Sequence, residues 1–481
     1  MSFIKDQLKF EYNDRGFYRL AGLSLLFYTL TFSLSIALSQ IALVSFMLFV
    51  LSAEILGGRR GDLSDFHGYG FLREFYVPLF FWIVISLVST IVSLDAVRSI
   101  MHLLKLSAYM LLPYFVCLYL HRPNRNASLT GEIEKYVFCM FVVQAVAAIH
   151  TILSVHAGYE VPPKIPGALT ESGQIALIMP LLLGGLFFLF KSNIALFGRR
   201  LLAAFLLVLL PAMIFAWYRK FPGVPYSVIC ALGIIPVLAI LYFMVLNFRK
   251  RAFSLYSSCS LLVPVLLVLI FAAFILNLKR GPWLAVIVEV VIFGLLFSRS
   301  TMLGFLFLMS LFSLSPPVYE RIASFAEHFF IGGGRFDMWK LGFQLVERFP
   351  MGVGFANSSL MREFDPTLPL LHRHMHNNVL NIALETGIMG AMAYIWWFFY
   401  FIVAGFKHIR SSFGGIKKAS QEGVYACLLL ISLIGWQVAG LVEYNFGDGE
   451  IRLLALVLIG FLVSLIFACR EGSSEKNLSS G

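Results

Sequence analysis

The sequence predicts an all-α protein that crosses a membrane many times: a bundle of about 12–14 hydrophobic helices with one large loop on the outer side. Three observations predict it: an apolar composition, repeated apolar runs of span length, and basic residues concentrated on alternate connections.

The composition excludes an ordinary soluble chain. Hydrophobic residues make up 59% and charged residues 13%, with a mean hydropathy of +0.84. A soluble domain carries roughly 25% charged and about 45–50% apolar residues, so a soluble fold would leave large apolar patches in water. The formal net charge is +11. In a soluble protein that would suggest a nucleic-acid partner. Here the basic residues sit between apolar runs, as topology requires. No nucleic acid is expected, and anionic lipid headgroups or a phosphorylated lipid substrate fit better. The six cysteines (Cys117, Cys139, Cys230, Cys259, Cys427, Cys469) lie in or beside apolar runs without Cys-x-x-Cys spacing. They read as packing residues, not as disulfides or a zinc site.

A spanning helix needs about 20 mostly apolar residues. Fourteen segments qualify: 20–37, 39–56, 75–93, 102–120, 136–155, 172–190, 200–217, 226–246, 258–276, 283–297, 301–315, 379–403, 424–444 and 451–468. A second run follows the first almost at once, so the first is expected to be a retained helix and not a cleaved signal. With the N-terminus in the cytoplasm, inside segments hold 23 of the 37 Lys and Arg, and the short outside segments hold 8. The other six lie in loop 316–378, and long loops translocate largely regardless of charge. Both termini are then cytoplasmic. The chain divides into an N-terminal bundle, 1–315, of about 11 helices; the loop, 316–378; about three C-terminal helices, 379–468; and a tail, 469–481. The Ser-rich end from Glu471 is expected to be disordered.

The loop is the one long connection, and such loops are usually functional. From Arg335 to Arg348 it reads as an amphipathic helix, with Phe336, Trp339, Phe343 and Val346 at spacings of three and four. Pro350 ends it. Ahead of it, Gly332, Gly333 and Gly334 let backbone N–H groups turn toward the helix start, which suits phosphate. Arg335 adds a planar fork of donors. The plain alternative is a glycine hinge beside a solvated arginine. The turn Pro350-Met-Gly-Val-Gly354 follows. The loop closes on His372, His374 and His376, which an extended chain would place on one face. Such a row could hold zinc. With no acid or cysteine near in sequence, a neutral histidine acting as a base without metal is the preferred reading.

Charges near the membrane point to the same side. Arg280 stands in Leu278-Lys-Arg-Gly-Pro-Trp283, at the outward end of one span and the start of the next. Glu289 and Glu385 lie inside spans, where an acid costs roughly 2.5–3.5 kcal/mol and normally faces protein, water or a partner. Glu443 and Asn445 end the next helix outward. Arg280, Arg335 and His376 therefore all reach the outer surface. Two arginines and a histidine at one interface suggest an anionic lipid headgroup and a proton transfer, the alternative being snorkelling anchors.

The residues Arg335 through Trp339, Pro350-Met-Gly-Val-Gly354 and His376-Asn-Asn-Val-Leu-Asn-Ile-Ala-Leu-Glu-Thr-Gly-Ile-Met-Gly390, with Arg280-Gly281 upstream, resemble the core of the O-antigen ligase and polymerase superfamily, bacterial inner-membrane glycan transferases. The resemblance implies a GT-C-like helical fold and an undecaprenyl-diphosphate-linked glycan donor. It implies an acceptor hydroxyl on lipid A-core, on another lipid-linked glycan or on a protein, and metal-independent transfer with inversion on the periplasmic face. No cofactor is implied. Arg280 and Arg335 would neutralise the diphosphate as its charge grows. His376 would take the acceptor proton as a general base. Gly333, Gly334, Asn377 and Glu385 would complete the diphosphate and glycan contacts. A transporter or lipid flippase is the rival from another class; it would predict paired broken helices and a polar site near the midplane.

Overall fold

The computed structural model describes residues 2–56, 69–122, 128–156, 167–192, 262–313, 316–330, 334–360, 374–412 and 421–478, and these are all-α. In chain order the helices are α1 (Ser2–Thr31), α2 (Ile36–Leu56), α3 (Tyr69–Ser89), α4 (Ala96–Met110), α5 (Leu112–Leu120), α6 (Leu129–His156), α7 (Ala168–Ser192), α8 (Leu262–Leu276), α9 (Arg280–Leu296), α10 (Arg299–Ser313), α11 (Pro316–Ala323), α12 (Phe325–Phe330), α13 (Arg335–Arg348), α14 (Asn378–Ser412), α15 (Gln421–Gly440) and α16 (Gly449–Leu478). Among the described residues, seven segments are long and apolar enough to cross a membrane: α2, most of α3, α4 with α5, and most of α6, α14, α15 and α16. The protein is a multi-pass membrane protein. Predicted spans 200–217 and 226–246 lie outside the described residues.

Burial divides the helices into centre and rim. The apolar windows of α15 and α16 are 83% buried, whereas those of α2 and the α3 span are 33% buried. Helix α15 packs against α9, α7, α16 and α14, so it forms the axis of the bundle. On the rim, Ile41, Leu48 and Ile55 point outward from α2. Their seven-residue spacing puts them on one face, which only lipid can cover at no cost. Helix α9 holds Glu289, fully buried against Gly435 of α15. Neither of its carboxylate oxygens has a hydrogen-bond partner among the described residues.

The expected span 102–120 lies within one segment, Ala96–Leu120, long and apolar enough to cross a membrane; it is made of two helices that meet at Leu111. Pro113 sits in the first turn of α5, where its missing N–H costs nothing. The tail is not wholly disordered, because α16 runs on to Leu478; extending a formed helix avoids the nucleation cost. The span and the turn beyond α1 also differ: α1 ends at Thr31, and residues 32–35 form the bend before α2. Helix α13 has the predicted limits, and half of the predicted face turns inward: Val346 is buried and Trp339 packs beside it. Met338, Gly342, Leu345 and Val346 are buried, while Phe336 and Phe343 project outward. The reason is Gly342. A Cβ there would stand 2.8 Å from Leu380 Cδ2 and 3.0 Å from Met375 Sδ, so the helix seats on its glycine side.

The glycine turn of the loop braces the longest helix. Helix α14 bends at Gly387, whose φ of 81° and ψ of 174° are non-helical. The bend releases backbone groups that residues 350–354 satisfy. Val353 N donates to Leu384 O at 2.9 Å, Gly354 N to Glu385 O at 2.9 Å, and Ile388 N to Pro350 O at 3.2 Å. Gly352 and Gly354 also have positive φ, a conformation glycine adopts without a Cβ clash. On the other side of this turn, the Asn357 amide donates to Asp95 O and Ser99 Oγ at 3.1 Å, tying it to the start of α4.

Candidate active site

Arg280, Arg335 and His376, separated by up to 96 positions in sequence, converge on one cavity of about 230 Å³. Its other walls are Leu169, Lys279, Arg321, Phe325, Phe329 and Glu443. Each side chain is placed by a different element.

Arg280 opens α9. Leu278, just before it, has a φ of 53°, so the chain turns sharply between α8 and α9. The guanidinium then reaches across to the α11–α12 junction: Nε donates to Arg321 O at 2.9 Å and a terminal NH₂ to Ser324 Oγ at 2.7 Å. Arg321 returns the contact, its Nε donating to Leu278 O at 3.1 Å. The short loop helices are thereby clipped to the mouth of the bundle.

Arg335 is the first residue of α13. Gly334 is its N-cap and offers no side chain to cap the helix, so the first-turn N–H groups have no side-chain acceptor from the cap residue. Arg335 pairs with Glu443 Oε1.

His376 stands just ahead of α14 with a φ of 45°. The two described histidines of the row lie side by side. The His374 and His376 rings meet edge-on at 4.2 Å, and His372 lies outside the described residues. No group of three or more His, Cys, Asp or Glu suited to a metal occurs among the described residues. The His376 Nδ1 is 2.9 Å from Glu443 Oε2.

Three asparagines hold this corner. The Asn377 Oδ1 accepts from Leu380 N at 3.0 Å, capping α14, and its amide donates to Leu441 O at 2.9 Å. The Asn378 amide donates to Asn445 Oδ1 at 2.7 Å and its Oδ1 accepts from Phe446 N at 3.0 Å. Asn381 Oδ1 accepts from Met375 N at 3.1 Å. The α14 start is therefore locked to the turn between α15 and α16, which carries Glu443.

Not every residue singled out in the sequence lines the cavity. Asn377 caps α14 beside it. Glu385 is 1% exposed; it accepts from Ser358 Oγ at 2.7 Å and from Tyr444 OH at 3.3 Å. It braces the bend of α14 from inside. Gly334 is next to the cavity as the N-cap of α13, and Gly333 lies outside the described residues.

Three charged lining residues had no role assigned from sequence. Lys279 adjoins Arg280 and could have been read with it. Glu443 was visible as an acid in an outward turn, on the same side as the two arginines. Arg321 left no local signal, since its place depends on how α11 folds back.

Among the described residues the wall holds four cationic side chains, one carboxylate and one histidine. Burial, and then the neighbouring Arg321, push the Lys279 ammonium below its usual range. Burial by itself would raise the Glu443 carboxyl. The hydrogen bond from His376 and the Arg335 charge outweigh it and hold that carboxyl below the usual range. The cavity therefore favours an anion with more than one charge.

Residues 265–395 match the O-antigen ligase family model Wzy_C. The match covers Arg280, Arg321, Arg335 and His376, the bend of α14 and the turn that braces it. It stops before α15, so Glu443 lies beyond it. No curated protein matches the chain.

Proposed function

We propose that the protein is an O-antigen ligase-like glycosyltransferase with a GT-C-like helical bundle. It moves a glycan from undecaprenyl diphosphate to an acceptor hydroxyl of lipid A-core, at the periplasmic face of the bacterial inner membrane. The observation that carries this reading is the convergence of Arg280, Arg335 and His376 on one cationic cavity within the matched stretch.

The chemistry follows from the side chains. The bond between the sugar anomeric carbon and the diphosphate oxygen breaks, and the electron pair leaves with the diphosphate. Arg280 and Arg335, helped by Lys279 and Arg321, stabilise that growing charge, the kind of contribution that dominates many enzymes. The acceptor oxygen attacks the opposite face of the anomeric carbon and gives its proton to His376. One displacement inverts the configuration. Four cationic side chains supply the neutralisation a metal would otherwise provide, so the transfer is metal-independent. Leu169, Phe325 and Phe329 form an apolar wall for the first part of the prenyl chain.

A polymerase of the same superfamily would use the same cavity, with the end of another lipid-linked glycan as acceptor; a protein O-oligosaccharyltransferase would use a protein hydroxyl. A transporter would need its polar site near the midplane, whereas these residues cluster at helix starts and connections at one end of the bundle.

Reconstitution tests the reading. Purified protein is given an undecaprenyl-diphosphate-linked glycan with lipid A-core or with no added acceptor, and products are resolved by gel and mass spectrometry. Glycan on lipid A-core is the expected result, and longer lipid-linked chains without added acceptor would assign a polymerase. Arg280→Ala, Arg335→Ala and His376→Ala should each lower transfer by about 10²-fold or more while the protein still inserts. Near-normal transfer by all three variants would refute the site.

A further inference from the structure

We infer that Glu443, which lies outside the matched stretch, is the positioning residue of this site: one carboxylate holds both the donor-side Arg335 and the acceptor-side His376. The inference rests on the glycan-transfer reading above for the identity of the two sides.

The geometry is specific. Oε1 pairs with Arg335 and Oε2 lies 2.9 Å from His376 Nδ1. An ionised carboxylate only accepts hydrogen bonds, so the proton of a neutral His376 sits on Nδ1. That places the lone pair on Nε2, the ring nitrogen that would take a proton from an acceptor hydroxyl. The carboxylate is 9% exposed and cannot wander. Gly281 packs against its stem, leaving no space for a Cβ, and the turn that carries it is tied to α14 through Asn378. The same carboxylate stabilises the imidazolium once His376 has accepted the proton, without itself being protonated, as a carboxylate does behind histidine in serine hydrolases.

Charge gives the carboxylate a second effect. The groups facing His376 across the cavity are Lys279, Arg280, Arg321 and Arg335, with His374 against its ring. All but His374 are cations. Among the described residues Glu443 is the one acid in the cavity wall, so it is the one carboxylate that offsets them.

The test uses the full-length reconstituted protein. Transfer by wild type, Glu443→Gln and Glu443→Asp is measured from about pH 5 to 9, with donor concentration varied. Glu443→Gln should lower kcat by about 10²-fold, the scale of general-base assistance, and change the donor KM by less than about threefold. It should also move the acid limb of the pH profile to lower pH. Glu443→Asp should restore part of both. A limb left in place, or an effect on KM alone, would overturn the inference. A second measurement needs no turnover: ¹⁵N NMR of imidazole-labelled wild type, with His376→Asn to identify the signal. An Nδ1–H tautomer supports the inference and an Nε2–H tautomer overturns it. If the Nδ1–H tautomer is found but wild type moves no glycan, the transfer reading fails and the positioning geometry stands.

Discussion

Gly281→Ala should disable the site without replacing any charged residue. An alanine Cβ at position 281 would stand 2.7 Å from Glu443 Cγ and 3.3 Å from Val442 Cγ2. Ordinary carbon–carbon contact is about 3.5–4.0 Å, so Glu443 must retreat by about 1 Å. Its hydrogen bond with His376 is 2.9 Å long, and a retreat of that size takes it past the roughly 3.2 Å limit of a good bond. A hydrogen bond to a charged group contributes about 1.5–3 kcal/mol, which corresponds to about 10- to 100-fold in rate. The assay is transfer in detergent beside a thermal melt. Gly304→Ala is the control, because nothing lies within 4 Å of its added Cβ. Gly281→Ala should add little to the loss already caused by Glu443→Gln, since both act through one bond. Transfer within threefold of wild type, in a protein that melts normally, would refute the reasoning.

Gly387→Ala should destabilise the fold by about 1–3 kcal/mol, because φ is 81° there and a Cβ would stand 2.6 Å from Pro350 O; a denaturation midpoint equal to wild type would count against the braced bend. The depressed Glu443 pKa gives a stability term present above the unfolded value of about 4.3 and lost as pH falls through the lower folded value. Wild type should therefore out-melt Glu443→Gln at neutral pH, with the gap closing below about pH 4; a gap constant across that range would contradict the pairing. EDTA should leave transfer unchanged. Loss of transfer with EDTA and rescue by zinc would return the histidine segment to consideration as a metal site.

The membrane architecture was legible in the sequence because it follows from solvent. Runs of about 20 apolar residues have no stable place in water, and their spacing and flanking charges show through composition alone. The limits of α13 were legible too, since Gly334 before it and Pro350 after it are local signals. Its buried face was legible only in part, through Trp339 and Val346. The apolar period picked out Phe336 and Phe343, but the close seat of Gly342 on Leu380 and Met375 decided which side turned inward. Glu385 shows the same division. An acid in a span had to be satisfied by something, yet only folding showed that Ser358 and Tyr444 satisfy it, away from the cavity.

By itself the sequence determined that this chain crosses a membrane many times, and it led to the expectation that two arginines and a histidine reach the same side. Tertiary structure decided that they share a cavity, that Arg321 and Lys279 join them, and that Glu443 holds Arg335 and His376 together. The reason is physical. Apolar period and charge bias are local or one-dimensional quantities, readable along the chain. A site assembled from the starts of α9, α13 and α14 and the turn after α15 depends on close packing of helices far apart in sequence.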